Sequence, residues 1–457
     1  YDATAVGYIH HERATAGDIE AARREAVSYA AYRVLRSRFA SSISSVISLA
    51  NFDAQLTALG YSTAVGQAPV TSGSSPAEVG RRIGEAILTW GNSDGFSNVN
   101  FPQPYNTAVN PNMDPQLALP VFGMNLAFFD NMPLGYGVPA GTDPNFWQPL
   151  ALSTTVTQNG IPEPGGTQTF VGVQSLATYP FSLSRSDPTK PWLDPFGGPS
   201  KLSRPGQPSN SDASYKDNFM DVVRKTAHLN DTQAINISPG AIGNNPLGAD
   251  TGVGHALNPV TGQPYAPDTV VHGDFARVLA EFWADGPNSE TPPGHWHVLA
   301  NEVADDPLLV KKIKGVGPTV NSLEWDVKTY FSLAGAVHDA ACAAWSLKRY
   351  YSGVRPITAI RYMCSKGQSS DPMGPSYHSE GIPLEADLVE VITTTSVGTA
   401  QAPGRHYQIW DVAYGANMPG SLYIGQIAVK GWPGEHPNNL PAPSIATNQT
   451  TVKWMLG

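Results

Sequence analysis

The chain has 457 residues, with 28 Lys and Arg against 38 Asp and Glu, for a formal net charge of −10. This acidic balance argues against a surface that binds nucleic acid or an anionic membrane. The chain also contains no run of about 18 apolar residues that could span a bilayer. Charged residues make up only 14%, against roughly 25% in a typical chain, while Gly (44) and Pro (40) are abundant. The composition predicts a compact core with long, turn-rich connections and favours a periplasmic or secreted protein.

Residues 1–90 are predicted to form N-terminal helices. Ser75 is a favourable N-cap, Pro76 suits the first helical position, and Glu78 completes a capping box. The apolar residues that follow share one helical stripe: Val79, Ile83, Ile87 and Trp90.

The whole chain, 1–457, is expected to be one helical domain. Its predicted parts are N-terminal helices (1–90), long packed loops (91–210), a central helical bundle (211–362) and a loop-rich C-terminal part (363–457). The longest apolar helix, 323–352, is predicted to lie at the centre of the bundle. The last residues, 447–457, are predicted to begin another helix. The predicted fold class is therefore mainly α, with long Gly/Pro-rich loops and at most minor β.

One segment of this acidic chain is free of acidic residues. Between Asp339 and Asp371 there is no Asp or Glu, whereas five cations fall there: Lys348, Arg349, Arg355, Arg361 and Lys366. Lys348 and Arg355 are seven residues apart, about two helical turns, which predicts that they point nearly the same way from one element. An Arg fork and a compact Lys charge suit the oxygens of a tetrahedral anion. Both an anion pocket and an exposed basic face are open interpretations.

The run before these cations favours the pocket. Residues 340–345 are apolar nearly all round, which predicts a buried helix. Within "KRYYSGVRP", Lys348 is followed by six residues and then by Arg355 and Pro356. This matches the first motif of the family that contains vanadium-dependent haloperoxidases and type 2 phosphatidic-acid phosphatases. The stretches "SLAGAVHDAACAAWSLK" and "PPGHWHVLANEV" resemble its bacterial vanadium haloperoxidase-like branch.

The resemblance implies site residues and a cofactor. Lys348 and Arg355 would bind the oxygens of vanadate, and Trp345 lies where chloroperoxidases of the family place an aromatic beside the halide. The nearest match to the second motif, Pro-Ser-Gly-His, is "PSYH" at 375–378, which makes His378 a candidate acid/base. The third motif, Ser-Arg followed after five residues by His, is absent. The axial histidine is therefore expected beyond Gly457, and no side chain of this chain is assigned to the metal.

The resemblance also implies an activity. The expected reaction is vanadate-dependent oxidation of halide by hydrogen peroxide to hypohalous acid, with peroxide, halide and an organic acceptor as small-molecule partners. A homo-oligomer is left open. One alternative is an acid phosphatase that uses the same oxyanion pocket. A second is a catalytically incomplete structural or assembly protein of the same fold.

Other polar residues receive structural interpretations. His295 and His297 are two apart, a spacing that can bind metal on a strand, but no third ligand accompanies them. Arg405, His406 and His436 are read as loop residues. The two cysteines, Cys342 and Cys364, could form a disulfide, although Cys342 fits better as a small buried residue.

Overall fold

The structure, a computed structural model, describes 11 parts of the chain: residues 1, 7–96, 143–147, 154–156, 162–164, 172–227, 233–242, 254–275, 290–411, 416–431 and 452–457. The helices in these parts are α1 (Ile19–Phe39), α2 (Ser45–Ala58), α3 (Thr63–Gln67), α4 (Pro76–Ser93), α5 (Asp212–Ala227), α6 (Pro292–Asp305), α7 (Ser322–Tyr351), α8 (Pro356–Lys366) and α9 (Thr394–Val397). Short 3-10 helices span Val173–Leu176, Ile313–Gly315 and Gly420–Tyr423.

The strands are short. They are β1 (Thr154–Val156), β2 (Pro162–Pro164), β3 (Ala234–Asn236), β4 (Thr269–Val271), β5 (Val389–Val391), β6 (Gln408–Asp411), β7 (Ala416–Pro419), β8 (Ile427–Gly431) and β9 (Lys453–Leu456). The first four form two antiparallel pairs, β1–β2 and β3–β4, and the other five form one sheet in the order β5-β8-β9-β6-β7. Helices dominate, so the predicted mainly-α class with minor β is confirmed.

The chain divides into two compact units. The first contains Tyr1–Phe101, Gln174–Thr189 and Ala304–Cys342, and the second contains Pro102–Val173, Lys190–Val303 and Ala343–Gly457. Helix α7 runs from the first set of residues into the second. The single domain predicted over 1–457 stays a prediction, and much of its loop segment 91–210 lies outside the described residues. None of the described helices is long and apolar enough to cross a membrane.

The first unit is built on α1 and α4. The predicted capping box of α4 is present: the Ser75 hydroxyl accepts the Glu78 N–H, and the Glu78 carboxylate accepts the Ser75 N–H. Gly80 of α4 lies against the backbone of α1, where a Cβ would come 2.2 Å from the Ala26 carbonyl oxygen. The absence of a side chain at this position is therefore what lets the two helices approach so closely.

The second unit has its main core between α5, α8 and the five-stranded sheet. Tyr215 and Met220 of α5, Met363 of α8 and Val389 of β5 are almost completely buried together. The strands of the sheet pair antiparallel except β6 and β9, which are parallel. This core holds α8 in place, and α8 begins directly after Arg355.

Two sequence-based expectations are wrong in this region. The end of the chain forms a central strand, β9, and not the helix predicted over 447–457. Its short apolar run cannot be assigned by periodicity alone, and pairing with β8 and β6 decides its conformation. The run 340–345 is also not buried all round, because Ala340 and Ala344 are exposed while Cys342 is buried. Both Cys342 and Cys364 are free and buried.

Candidate oxyanion site

The seven-residue spacing predicted that Lys348 and Arg355 lie on one element. In the structure they lie on two. Lys348 is in the last turn of α7, and Arg355 is the N-cap of α8 with Pro356 as its first helical residue. Between them Ser352 adopts a left-handed conformation, with φ of 50°. This conformation ends α7, and the missing N–H of Pro356 is tolerated because α8 starts there.

The two cations are nevertheless near enough to interact electrostatically. Burial lowers the pKa of Lys348, and the positive charge of Arg355 lowers it further. The burial of Lys348 is only partial, because both residues are classed as exposed by their total accessible area. In the parts of the chain that the structure describes, no carboxylate forms an ion pair with either one. The site therefore contains two positive charges that repel each other without an internal counter-charge.

Trp345 forms the apolar side of this pair. The Lys348 ammonium nitrogen lies 3.9 Å from the centroid of the Trp345 ring, a cation–π distance. The ring itself rests on Gly172, where a Cβ would come 2.5 Å from a ring carbon. Gly172 has φ of 81°, which other residues rarely adopt. Nothing in the sequence around Lys348 points to Gly172, because the contact depends on folding across 173 residues.

The last turns of α7 are held by the segment 190–194. The Trp192 N–H donates to the Ser346 hydroxyl (3.2 Å), the Lys190 ammonium donates to the Tyr350 hydroxyl (2.6 Å), and the Tyr351 hydroxyl donates to the Asp194 carboxylate. These bonds fix the helix end from which Lys348 projects. Sequence reasoning missed this segment as well, since its composition resembles an ordinary loop.

His378 is not joined to the two cations by any hydrogen bond or ion pair in the described part of the chain. Its ring Nδ1 accepts the backbone N–H of Glu380 at 3.1 Å, and its backbone N–H donates to the Gln368 carbonyl. Ser376, two residues earlier, adopts a left-handed φ of 56°. These contacts describe an ordered turn, and the acid/base role of His378 stays a prediction.

His295, His297 and His406 have structural partners. His295 and His297 lie on α6, where Nδ1 of His295 contacts Glu290 (3.1 Å) and Nδ1 of His297 contacts the Pro293 carbonyl (2.7 Å). Among the described residues, no group of three or more His, Cys, Asp or Glu could hold a metal ion. His406 lies in a turn, as predicted, and is fully buried; Ser396 bonds its Nδ1 at 2.8 Å and Trp454 packs on its ring. His436 lies outside the described residues.

Comparison with known proteins bears on the segment that carries this site. Residues 328–383 match the family described as the VCPO second helical-bundle domain. Two crystal structures of bacterial vanadium-dependent chloroperoxidase, an apo-type and a holo-type, are similar at 18% and 17% identity, with TM-scores of 0.44 and 0.43. The alignments cover 80% of this chain and 61% and 60% of those chains, so this chain spans about three fifths of their length. No curated protein matches the sequence significantly.

Proposed function

We propose that this chain, which carries a vanadium haloperoxidase-like segment over residues 328–383, binds vanadate between Lys348 and Arg355 for the oxidation of halide by hydrogen peroxide. The observation that carries the proposal is the pair of neighbouring cations without an acidic partner. A tetrahedral oxyanion placed between them would remove their repulsion and supply the missing counter-charge.

The donor groups fit such an anion. The planar guanidinium of Arg355 can donate to two oxygens at once, and the ammonium of Lys348 contributes a compact charge with three donors. The pKa of Lys348 is lowered by burial and by Arg355, so an incoming negative charge would stabilise its protonated form. The proposal assigns these two residues to the oxygens of the anion, and it assigns no side chain of this chain to the metal itself.

The residues of this chain would each have a defined task. When bound, vanadate supplies a Lewis-acidic centre that activates hydrogen peroxide toward halide. Lys348 and Arg355 hold the oxyanion and offset the charge on its oxygens. Trp345 orients the Lys348 ammonium through its ring face and contributes the apolar surface beside the anion, the side on which the family resemblance would place the halide.

Vanadate binding by the native protein tests the proposal. Calorimetry should detect binding, and Arg355→Lys should weaken it by roughly tenfold, because the charge stays but the two-point fork is lost. Arg224→Lys is the matched control, because Arg224 pairs with Asp217 and Glu385 at 3.0 and 2.9 Å. Equal affinity of the Arg355→Lys variant and the native protein would refute the assignment of Arg355.

An activity assay then separates the three functions. Oxidation of bromide or chloride in the presence of vanadate and peroxide supports the haloperoxidase. Vanadate binding with cleavage of a phosphate monoester and no halide oxidation would replace it with the acid phosphatase. Absence of any oxyanion binding would leave the structural or assembly role.

We also propose that the protein works outside the cytoplasm, in the periplasm or after secretion, since its charge is sparse and its Gly and Pro content is high. Fractionation of the native source is the test. Recovery only in the cytosolic fraction would contradict this localisation without affecting the proposed chemistry.

A further inference from the structure

The segment 143–147 is distant from Lys348 and Arg355 in sequence but runs against the turn that joins them. Phe146 forms an isolated antiparallel bridge with Gly353, and the Trp147 N–H donates to the Ser352 carbonyl at 2.6 Å. All of these residues belong to the second unit. The segment is well anchored, since Asp143, Asn145 and Trp147 are buried.

The turn that this segment contacts is conformationally costly. Ser352 is completely buried and has φ of 50°, in the left-handed region that a non-glycine residue avoids. Such a conformation persists when surrounding structure holds it. The Ser352 N–H donates to the Lys348 carbonyl at 2.9 Å, and its carbonyl accepts from Trp147. Segment 143–147 thus supports the residue that decides the direction from Lys348 to Arg355.

Arg204 anchors the segment. It forms an ion pair with Asp143 at 2.9 Å, and its Nε lies 3.7 Å from Glu380. Glu380 in turn accepts a hydrogen bond from Tyr362 of α8. Burial by itself would lower the pKa of Arg204, but Asp143, Tyr362 and Glu380 outweigh it and raise the pKa. Arg204 therefore remains a partly buried cation that connects the segment to the helix capped by Arg355.

Two further contacts reinforce the same connection. The Asn145 amide donates to the Leu202 carbonyl at 3.1 Å and accepts the Leu202 N–H at 2.6 Å. The Tyr215 hydroxyl donates to the Pro144 carbonyl at 2.5 Å. Segment 143–147 is consequently held at Pro144 and Asn145, next to the Asp143–Arg204 pair.

We propose that Asp143 and Arg204 are positioning residues for the oxyanion site, because they fix the segment that holds the Ser352 turn and so set the separation of Lys348 and Arg355. This inference rests on the proposed function for its biological meaning. Its geometric content is independent of any ligand. Both residues act through segment 143–147 and α8, not by contact with the anion.

The pKa of Lys348 in the absence of any oxyanion tests the geometric content. It can be followed by NMR after isotope-labelled dimethylation of lysines, with Lys348→Arg used to assign the signal. In Arg204→Gln the turn loses its anchor, the two cations separate, and the pKa of Lys348 should rise toward its ordinary value. Arg204→Lys, which keeps the charge, should restore part of the native pKa. The control Arg224→Gln removes another arginine that bridges two carboxylates and should leave the pKa unchanged.

Vanadate affinity supplies the second arm. Arg204→Gln should weaken vanadate binding by roughly tenfold relative to Arg224→Gln, about the loss from one misplaced charge-assisted hydrogen bond. An unchanged Lys348 pKa in folded Arg204→Gln would overturn the positioning role. If Arg204→Gln does not fold, Asp143→Asn breaks the same ion pair, and an unchanged Lys348 pKa together with full vanadate affinity in that variant would overturn it. A changed pKa in a protein that binds no vanadate would uphold the positioning role and refute only the proposed function.

Discussion

The arginines of the N-terminal helices differ from Lys348 and Arg355 in whether their positive charges have acidic partners. In the first unit, Arg82 pairs with Glu12, and Arg36 pairs with Asp53. In the second unit, Arg355 lowers the pKa of Lys348 by its positive charge, and no acidic partner is found for either residue among the described residues. The first arrangement satisfies the charges within the fold, whereas the second leaves two positive charges without an internal counter-charge among the described residues. Unpaired like charges held close together are thus a stronger indication of a binding site than charge alone.

Charge reversal at each place should produce opposite results. Arg355→Glu removes a charge-assisted bond and repels an anion, so vanadate affinity should fall by roughly 100-fold or more. The new carboxylate can pair with Lys348, so the free energy of unfolding should stay within about 1 kcal/mol of the native value or rise. In contrast, Arg82→Glu places a like charge beside Glu12 and should lower stability. Denaturant unfolding and calorimetry check both, and equal destabilisation by the two reversals would refute the comparison.

Close packing in the first unit should matter for stability and not for the anion site. Gly80→Ala forces a Cβ toward the Ala26 carbonyl, and we expect a loss of about 1–3 kcal/mol in the free energy of unfolding. Gly17→Ala is the control, because no atom lies within 4 Å of its would-be Cβ. Thermal unfolding would show the difference. Vanadate affinity should be unchanged in both variants, and a loss in Gly80→Ala alone would contradict this separation.

Acid should weaken the paired region in a defined window. Hydrogen bonding from Arg82 lowers the pKa of Glu12 to about 2. A carboxyl with a depressed pKa stabilises the fold above its unfolded pKa, and that stability is lost as pH falls from about 5 to about 2. Because Glu12 is exposed, Glu12→Gln should remove only about 1 kcal/mol of this dependence. Glu20→Gln, next to Arg23, is the matched control, and equal acid profiles for Glu12→Gln and the native protein would exclude the pair as their source.

The smallest expected effect concerns Trp345. Trp345→Leu keeps an apolar side chain but removes the ring face over which Lys348 lies, a contact worth about 0.5–1 kcal/mol at an exposed site. Vanadate affinity should therefore fall roughly threefold, and Trp345→Phe should lose less. Identical affinities for Trp345→Leu and the native protein would show that the ring does not orient Lys348.

Sequence alone predicted the features that depend on neighbouring residues. The capping box at Ser75 and Glu78 and the long helix near 323–352 follow local patterns, and the structure has both. The family of the segment around Lys348 was also recognised from one motif, and the match over 328–383 confirms it.

What the sequence could not predict depends on distant contacts. The left-handed Ser352 accepts a hydrogen bond from the Trp147 N–H, and the ring of Trp345 packs on Gly172. Strand β9 forms because its backbone pairs with β8 and β6. Its four residues alone do not reveal this pairing. Spacing therefore selected Lys348 and Arg355 as an oxyanion pair, which stays a prediction, but it placed them on one element, whereas they lie on two.

The pKa of Lys348 with and without vanadate is the most direct test of the central claim. Burial and Arg355 lower this pKa in the free protein, so a bound oxyanion must raise it by cancelling the charge of Arg355. We predict a clear upward shift of the Lys348 titration in NMR when vanadate is added to saturation, and none for Lys366. A Lys348 titration that stays the same at saturating vanadate would contradict the claim that these two cations form an oxyanion site.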